Sequence, residues 1–122
     1  MEKNLHVNLS VRVFTDQKCF GPGIAELMRR VDELHSLRAA AMAMQMAYSK
    51  AWTIMRNAEN GLGFKLLSSS AGGKNGGGAS LTEEGRRVLA AYEEYCEKLH
   101  AYGDQLFEEV FSAYGLPHGE DR

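Results

Sequence analysis

The spacing of hydrophobic and polar positions changes period several times along this chain, and each change predicts an element. Val7, Leu9, Val11 and Val13 alternate with Asn8, Ser10 and Arg12, the period of two that a half-buried strand requires, ending near Thr15. Asp16-Gln17-Lys18 reads as a polar break. Pro22 suits a first helical turn, where its missing N–H costs nothing. Ile24, Leu27, Met28, Val31 and Leu34 then follow helical spacing, with Glu26, Arg29, Arg30, Asp32 and Glu33 on the other face, predicting a helix over 22–35. Ser36 is placed to cap a second helix, in which Ala39, Ala40, Ala41 and Ala43 allow close packing against a neighbour. Gln45 and Met46 form a tight turn, and a third helix is expected from Ala47 to Asn60, with Gly61 and Gly63 where a C-cap is wanted.

Beyond that helix, Phe64, Leu66 and Leu67 open a strand, and AGGKNGGGAS over 71–80 separates it from a second short strand around Ala79–Leu81. From Thr82, a capping residue followed by Glu83 and Glu84, the chain predicts a long helix. Leu89, Tyr92, Cys96, Leu99, Gly103, Leu106, Val110 and Ala113 recur at alternating steps of three and four, the seam of a helix that packs on another long helix, interrupted at Gly103. Unbroken, 82–114 would reach about 50 Å at 1.5 Å per residue. Gly115-Leu116-Pro117 stops it. The expected fold class is mainly α with a small β-sheet: a winged helix-turn-helix over 1–81, a dimerisation helix over 82–115 and a flexible tail over 116–122.

Three helices, a tight turn between the second and third and a glycine-tipped hairpin predict DNA binding. A recognition helix fits the major groove, and a hairpin wing meets the flanking phosphates. In the third helix Ala51, Met55, Ala58 and Leu62 are expected to face the protein, and Tyr48, Ser49, Trp52, Thr53 and Arg56 the DNA. Arg56 suits a guanine edge or a phosphate, Ser49 and Thr53 suit either, and Lys50 at the flank suits a phosphate. Trp52 has two readings, against the DNA backbone or folded under the wing. Lys74 and Asn75 are the wing residues placed for backbone contact. The dimer interface is expected at Leu89, Tyr92, Cys96, Leu99, Leu106 and Val110. The expected partners are double-stranded DNA, as an inverted-repeat operator, and a second copy of the chain.

The net charge of −2 looks poor for such a partner. It is unevenly placed: residues 1–81 hold ten Lys and Arg against six Asp and Glu, residues 82–122 four against ten. A dimer doubles the basic front. The acidic back motivates a competing reading, a winged-helix protein-interaction module with weak or no DNA binding. Cys19 and Cys96 lie far apart with no C-x-x-C pair, which points to a reducing cytoplasm rather than a disulfide framework. The N-terminus is too short and polar-broken for a signal peptide, and no run approaches a membrane span. Gly73-Lys74 is followed by Asn75 and the spacing of a phosphate-binding loop fails. Cys96 and His100, four apart with Glu93 and Glu97 near, would need a second chain to make a metal site, and a small apolar role for the cysteine outweighs it. No enzyme, cofactor or metal is expected.

From Phe20 to about Leu99 the chain resembles the N-terminal DNA-binding domain of the ModE family of molybdate-responsive regulators, relatives of the LysR-type winged helix. The resemblance rests on FGPGIAELMRRVDELHSLRAAAMAMQMAYSKAW and AGGKNGGGASLTEEGRRVL; AYSKAW and the glycine-rich wing with its L-T-x-x-G continuation are the specific parts. It implies dimerisation through the long helices and binding to a palindromic operator. Full-length members of that family carry C-terminal molybdate-binding domains, for which 122 residues leave no room, so no molybdate sensing is expected and no small-molecule effector is named. Two positions depart from the family: Ala47 replaces a frequent Ser at the third helix's cap, a change of roughly 1 kcal/mol, and Gln45 replaces a common Gly in the turn.

Overall fold

Phe20, Ile24, Leu27, Met28 and Val31 line one face of the first helix and its lead-in, and the core forms where that face meets the two helices that follow. The computed structural model describes residues 3–70 and 78–117. Elements follow in the order β1 (Val13–Phe14), β2 (Lys18–Phe20), α1 (Pro22–Leu34), α2 (Leu37–Ala43), α3 (Tyr48–Leu62), β3 (Leu67–Ser70), β4 (Gly78–Leu81) and α4 (Glu83–Ala113). This is a winged helix followed by a long helix, the fold class expected. The chain forms two compact units, Val11–Tyr92 and, separately, Met1–Ser10 with Glu93–Arg122.

In the first unit each helix boundary has a local cause. Ser36 Oγ accepts the Ala39 N–H at 3.0 Å and caps α2, as its sequence position predicts. At the other end of α2 the Gln45 N–H donates to Met42 O and the Met46 N–H to Ala41 O, both at 3.0 Å. This pair of bonds closes a helix by turning one residue left-handed, and here that residue is Gln45, at φ 56°. Ala47 precedes α3 in extended conformation with no side-chain cap, and Gly63 ends it at φ 87°. Buried Ala40, Ala41 and Ala51 bring α2 and α3 close to α1.

The wing is anchored at its base from both sides. β3 and β4 pair antiparallel from Leu67 opposite Leu81 to Ser70 opposite Gly78. Glu59 on α3 accepts the Leu66 N–H at 2.8 Å and the Leu67 N–H at 3.3 Å. Thr82 Oγ1 donates to Lys65 O at 2.7 Å and accepts the Gly85 N–H at 2.9 Å, so one hydroxyl both caps α4 and ties it to the chain entering β3. Gly85 is required there: a Cβ would sit 2.6 Å from Leu66 O. On the outer side of β4 the Ala79 N–H donates to His35 O at 3.0 Å.

Two expectations for the N-terminal region are corrected. The strand expected from Val7 to Thr15 is reduced to Val13–Phe14, paired with Lys18–Phe20, and Lys18 belongs to that second strand rather than to a polar break. Val7, Leu9 and Val11 are half-buried and Asn8, Ser10 and Arg12 exposed, so the alternation is real without a ladder behind it. Carbonyls of this segment meet side chains instead: Val11 O accepts the Tyr92 hydroxyl at 2.8 Å in the first unit, and Leu9 O lies 2.9 Å from His100 Nε2 in the second.

In the second unit α4 runs through Gly103 without the expected interruption. One glycine costs about 1 kcal/mol in a helix, too little to break one of this length, and Leu9 lies over it, with its Cδ1 2.7 Å from where a Cβ would stand. Phe107 and Phe111 stack at 4.0 Å between ring centroids. The helix ends as α2 does: Gly115 turns left-handed at φ 70°, its N–H donates to Ser112 O and that of Leu116 to Phe111 O. The expected flexible tail lies outside the described residues from 118 onward.

Candidate nucleic-acid interface

α3 is held with one face in the core and one in solvent. Ala51, Met55 and Ala58 are buried and Leu62 half-buried. Ser49, Lys50, Thr53 and Arg56 are exposed on the opposite side, together with Asn57 and Asn60. The Thr53 hydroxyl donates to Ser49 O at 3.0 Å, which fixes its rotamer and leaves its oxygen lone pairs outward. Because Ala47 supplies no cap, backbone N–H groups of the first turn of α3 lack an internal side-chain acceptor, the condition under which a helix start favours an anion.

Tyr48 and Trp52 differ from expectation. They are half-buried and pack on the core, because with Ala51 and Met55 they complete the i, i+3, i+4, i+7 stripe of an inward face. The Trp52 ring stands 6.4 Å from that of Tyr48 between centroids, with the Arg56 guanidinium 5.6 Å from its own centroid. The outer face of Tyr48 is covered by Arg38, whose guanidinium carbon is 4.1 Å from the ring centroid.

Arg38 is not among the residues expected at the site, and the sequence carries one signal for it. From Ser36 to Ala58 the chain contains no Asp or Glu, and its charges are Arg38, Lys50 and Arg56. None of the three has a carboxylate partner among the described residues, whereas Arg30 is paired with Glu26 at 2.8 Å and Arg86 with Asp32 at 2.9 Å. Helix-turn-helix geometry thus coincides with a stretch of chain that carries cations and no acids. Lys74 and Asn75, expected in the wing, lie outside the described residues.

The long-helix residues divide. Leu89 is buried in the core of its own unit, and Tyr92 is engaged there by its edge-on contact with Phe20 at 5.1 Å. Farther along, Cys96 and Leu99 are half-buried, while Leu106 and Val110 are exposed at 41% and 42% and Tyr95 and Tyr102 at about 60%. Both cysteines are free. Among the described residues no group of His, Cys, Asp and Glu is arranged to hold a metal, and no helix is long and apolar enough to cross a membrane.

Comparison with known proteins places this helix-turn-helix in a family. The profile of the bacterial regulatory helix-turn-helix proteins, lysR family, matches residues 25–86, from α1 through the first turn of α4. The chain belongs to that family. Among curated relatives it is similar to the molybdenum transport protein ModE of Azotobacter vinelandii, 31% identical over 86 residues, 67% of this chain and 32% of that protein. It is also similar to the molybdenum-pterin-binding protein MopB of Rhodobacter capsulatus, 35% identical over 66 residues, 54% of this chain and 24% of that one. The transcriptional regulator ModE of Haemophilus influenzae is 29% identical over 92 residues, 75% of this chain and 35% of that one. The chain spans about a third of the length of these relatives or less. The lysR-family match covers the winged unit, in agreement with the resemblance carried by AYSKAW and the glycine-rich wing.

Proposed function

We propose that the chain is a sequence-specific DNA-binding transcriptional regulator that acts as a homodimer on an inverted-repeat operator. The observation that carries this reading is the exposed face of α3, where Ser49, Lys50, Thr53 and Arg56 stand together on an acid-free stretch inside a lysR-family helix-turn-helix. In this reading α3 enters the major groove, Arg56 takes a guanine edge, Ser49 and Thr53 read neighbouring positions, and Lys50 meets a phosphate. Lys74 and Asn75, which the chain carries between β3 and β4, hold the flanking backbone. Exposed apolar side chains on α4 support a dimer: Tyr95, Tyr102, Leu106 and Val110 continue a seam that a second copy of the helix can cover. Two recognition helices related by a two-fold then face half-sites about 34 Å apart, or a multiple of that.

Selection of duplexes from a random library, followed by gel shifts at moderate salt, tests the proposal. Enrichment of an inverted repeat is expected, with Arg56→Ala losing sequence preference and Lys74→Ala losing mainly salt-sensitive affinity. No preference for any sequence over competitor DNA sinks it. Sedimentation equilibrium is expected to give a dimer that Leu106→Glu with Val110→Glu dissociates. The acidic α4, with Glu83, Glu84, Glu93, Glu94, Glu97, Asp104, Glu108 and Glu109, favours a second reading as a protein-interaction module; a dimer that ignores DNA at low salt decides for it.

A further inference from the structure

Arg38, Tyr48, Trp52 and Arg56 form a continuous ladder across α2 and α3, guanidinium on ring, ring against ring, ring on guanidinium. The two aromatic rings are fixed from below by the core, and the two arginines at the ends are exposed. A ring under a guanidinium occupies its flat face and leaves the five N–H donors around its edge unused. Arginines with a structural role in this protein spend those donors internally, as Arg30 does on Glu26 and Arg86 on Asp32. Arg38 and Arg56 instead stand over aromatic rings and have no carboxylate partner among the described residues.

We propose that Tyr48 and Trp52 are positioning residues rather than DNA contacts, and that through Tyr48 they present Arg38 as a further phosphate-binding residue beside the recognition helix. The inference rests on the DNA-binding reading above. Arg38 stands in the first turn of α2, the helix that in this motif crosses the DNA backbone while the next one enters the groove, so its target is a phosphate. A guanidinium already stacked in its binding pose loses less side-chain freedom on contact. The Tyr48 hydroxyl has no role in this scheme; the ring face is what matters.

Two readouts test it. In the DNA-free protein, the Arg38 Nε–Hε proton is expected to show an upfield ring-current shift, kept in Tyr48→Phe and lost in Tyr48→Leu. With a mixed-sequence duplex of about three helical turns, Arg38→Ala is expected to reduce the slope of log K against log salt by about 0.9, the release of one phosphate contact. Arg38→Lys should keep that slope. Tyr48→Phe should bind as wild type, Tyr48→Leu about two- to fivefold more weakly, and the Arg38→Ala, Tyr48→Leu double variant no more weakly than Arg38→Ala alone. An unchanged slope in Arg38→Ala, additive losses in the double variant, or equal loss in Tyr48→Phe and Tyr48→Leu overturns the inference. An unshifted Arg38 proton overturns the positioning role while DNA binding stands. A wild-type protein that does not bind the duplex at low salt overturns the DNA-binding reading, and the assignment of Arg38 to phosphate with it.

Discussion

Replacing Glu59 by Ala removes the carboxylate by which α3 holds the backbone at the entry of the wing. Its carboxylate is 12% exposed and accepts the Leu66 N–H at 2.8 Å and the Leu67 N–H at 3.3 Å. A hydrogen bond to a charged acceptor contributes about 1.5–3 kcal/mol. The longer bond adds less, so Glu59→Ala should cost about 2–4 kcal/mol, a large share of the 5–15 typical of a domain. Glu59→Gln keeps an amide oxygen for Leu66 and loses only the charge, about 1 kcal/mol. Lys65 lies 4.0 Å from Glu59 but is 79% exposed; a surface pair of this kind contributes less than about 1 kcal/mol, so Lys65→Ala should be near neutral. Urea unfolding reads all three. With a slope of about 1.5–2 kcal/mol per molar, the Glu59→Ala midpoint falls by about 1–3 M and the slope stays constant. Hydrogen exchange should show the Leu66 and Leu67 amides losing protection before the core of α1. Equal midpoints for Glu59→Ala and wild type, or a Lys65→Ala loss as large as that of Glu59→Ala, would refute the assignment of the stability to the two backbone bonds.

Gly85→Ala should destabilise by about 1–3 kcal/mol, because its Cβ meets the backbone oxygen of Leu66 at 2.6 Å; an unchanged thermal midpoint would mean that the wing base can move aside. Gln45→Gly relieves the left-handed strain of the turn and, after glycine's entropy cost, should stabilise by about 0.5–1 kcal/mol, raising the midpoint by about 2–5 °C; a fall refutes it. Glu26 has its carboxyl held below the usual carboxylate range, first by the hydrogen bond from Arg30 and, against an opposing effect of burial, also by Arg29. Its contribution is therefore present above the ordinary carboxylate range and lost as pH falls through its lowered folded value. The stability difference between wild type and Glu26→Gln, measured by urea midpoint across pH, should vanish in acid; a difference that grows there is the contrary result.

The helices were legible because their signals are local. The 3.6-residue spacing of Ile24, Leu27, Met28 and Val31 and the cap at Ser36 act within one turn of chain. The hairpin β3–β4 followed from glycines between two short apolar runs. What escaped depends on neighbours distant in sequence. Val7, Leu9 and Val11 show a strand's period, yet the period arises from an extended segment with side chains of α4 on its carbonyls. Lys18–Phe20 is too short to show any period. Tyr48 and Trp52 lie at the margin of the inward stripe of α3, and their half-burial comes from how α3 meets the rest of the core. Arg38 carried no local signal beyond the missing acids around it, since its meaning comes from the Tyr48 ring, ten residues on. Glu59 carries no local signal of its role, because the two N–H groups it serves follow it beyond the end of α3.

The bond from the Ala79 N–H to His35 O also has a colloidal consequence. A two-stranded sheet has two open edges, and each is a template on which another chain can add a strand. Here the β4 edge is met by the turn that ends α1, which takes up one of its outward donors. The β3 edge is the serine run Ser68–Ser70, short, polar and poor in the β-branched and aromatic residues that drive cross-strand association. Copies of the chain are thereby kept from joining edge to edge through this sheet.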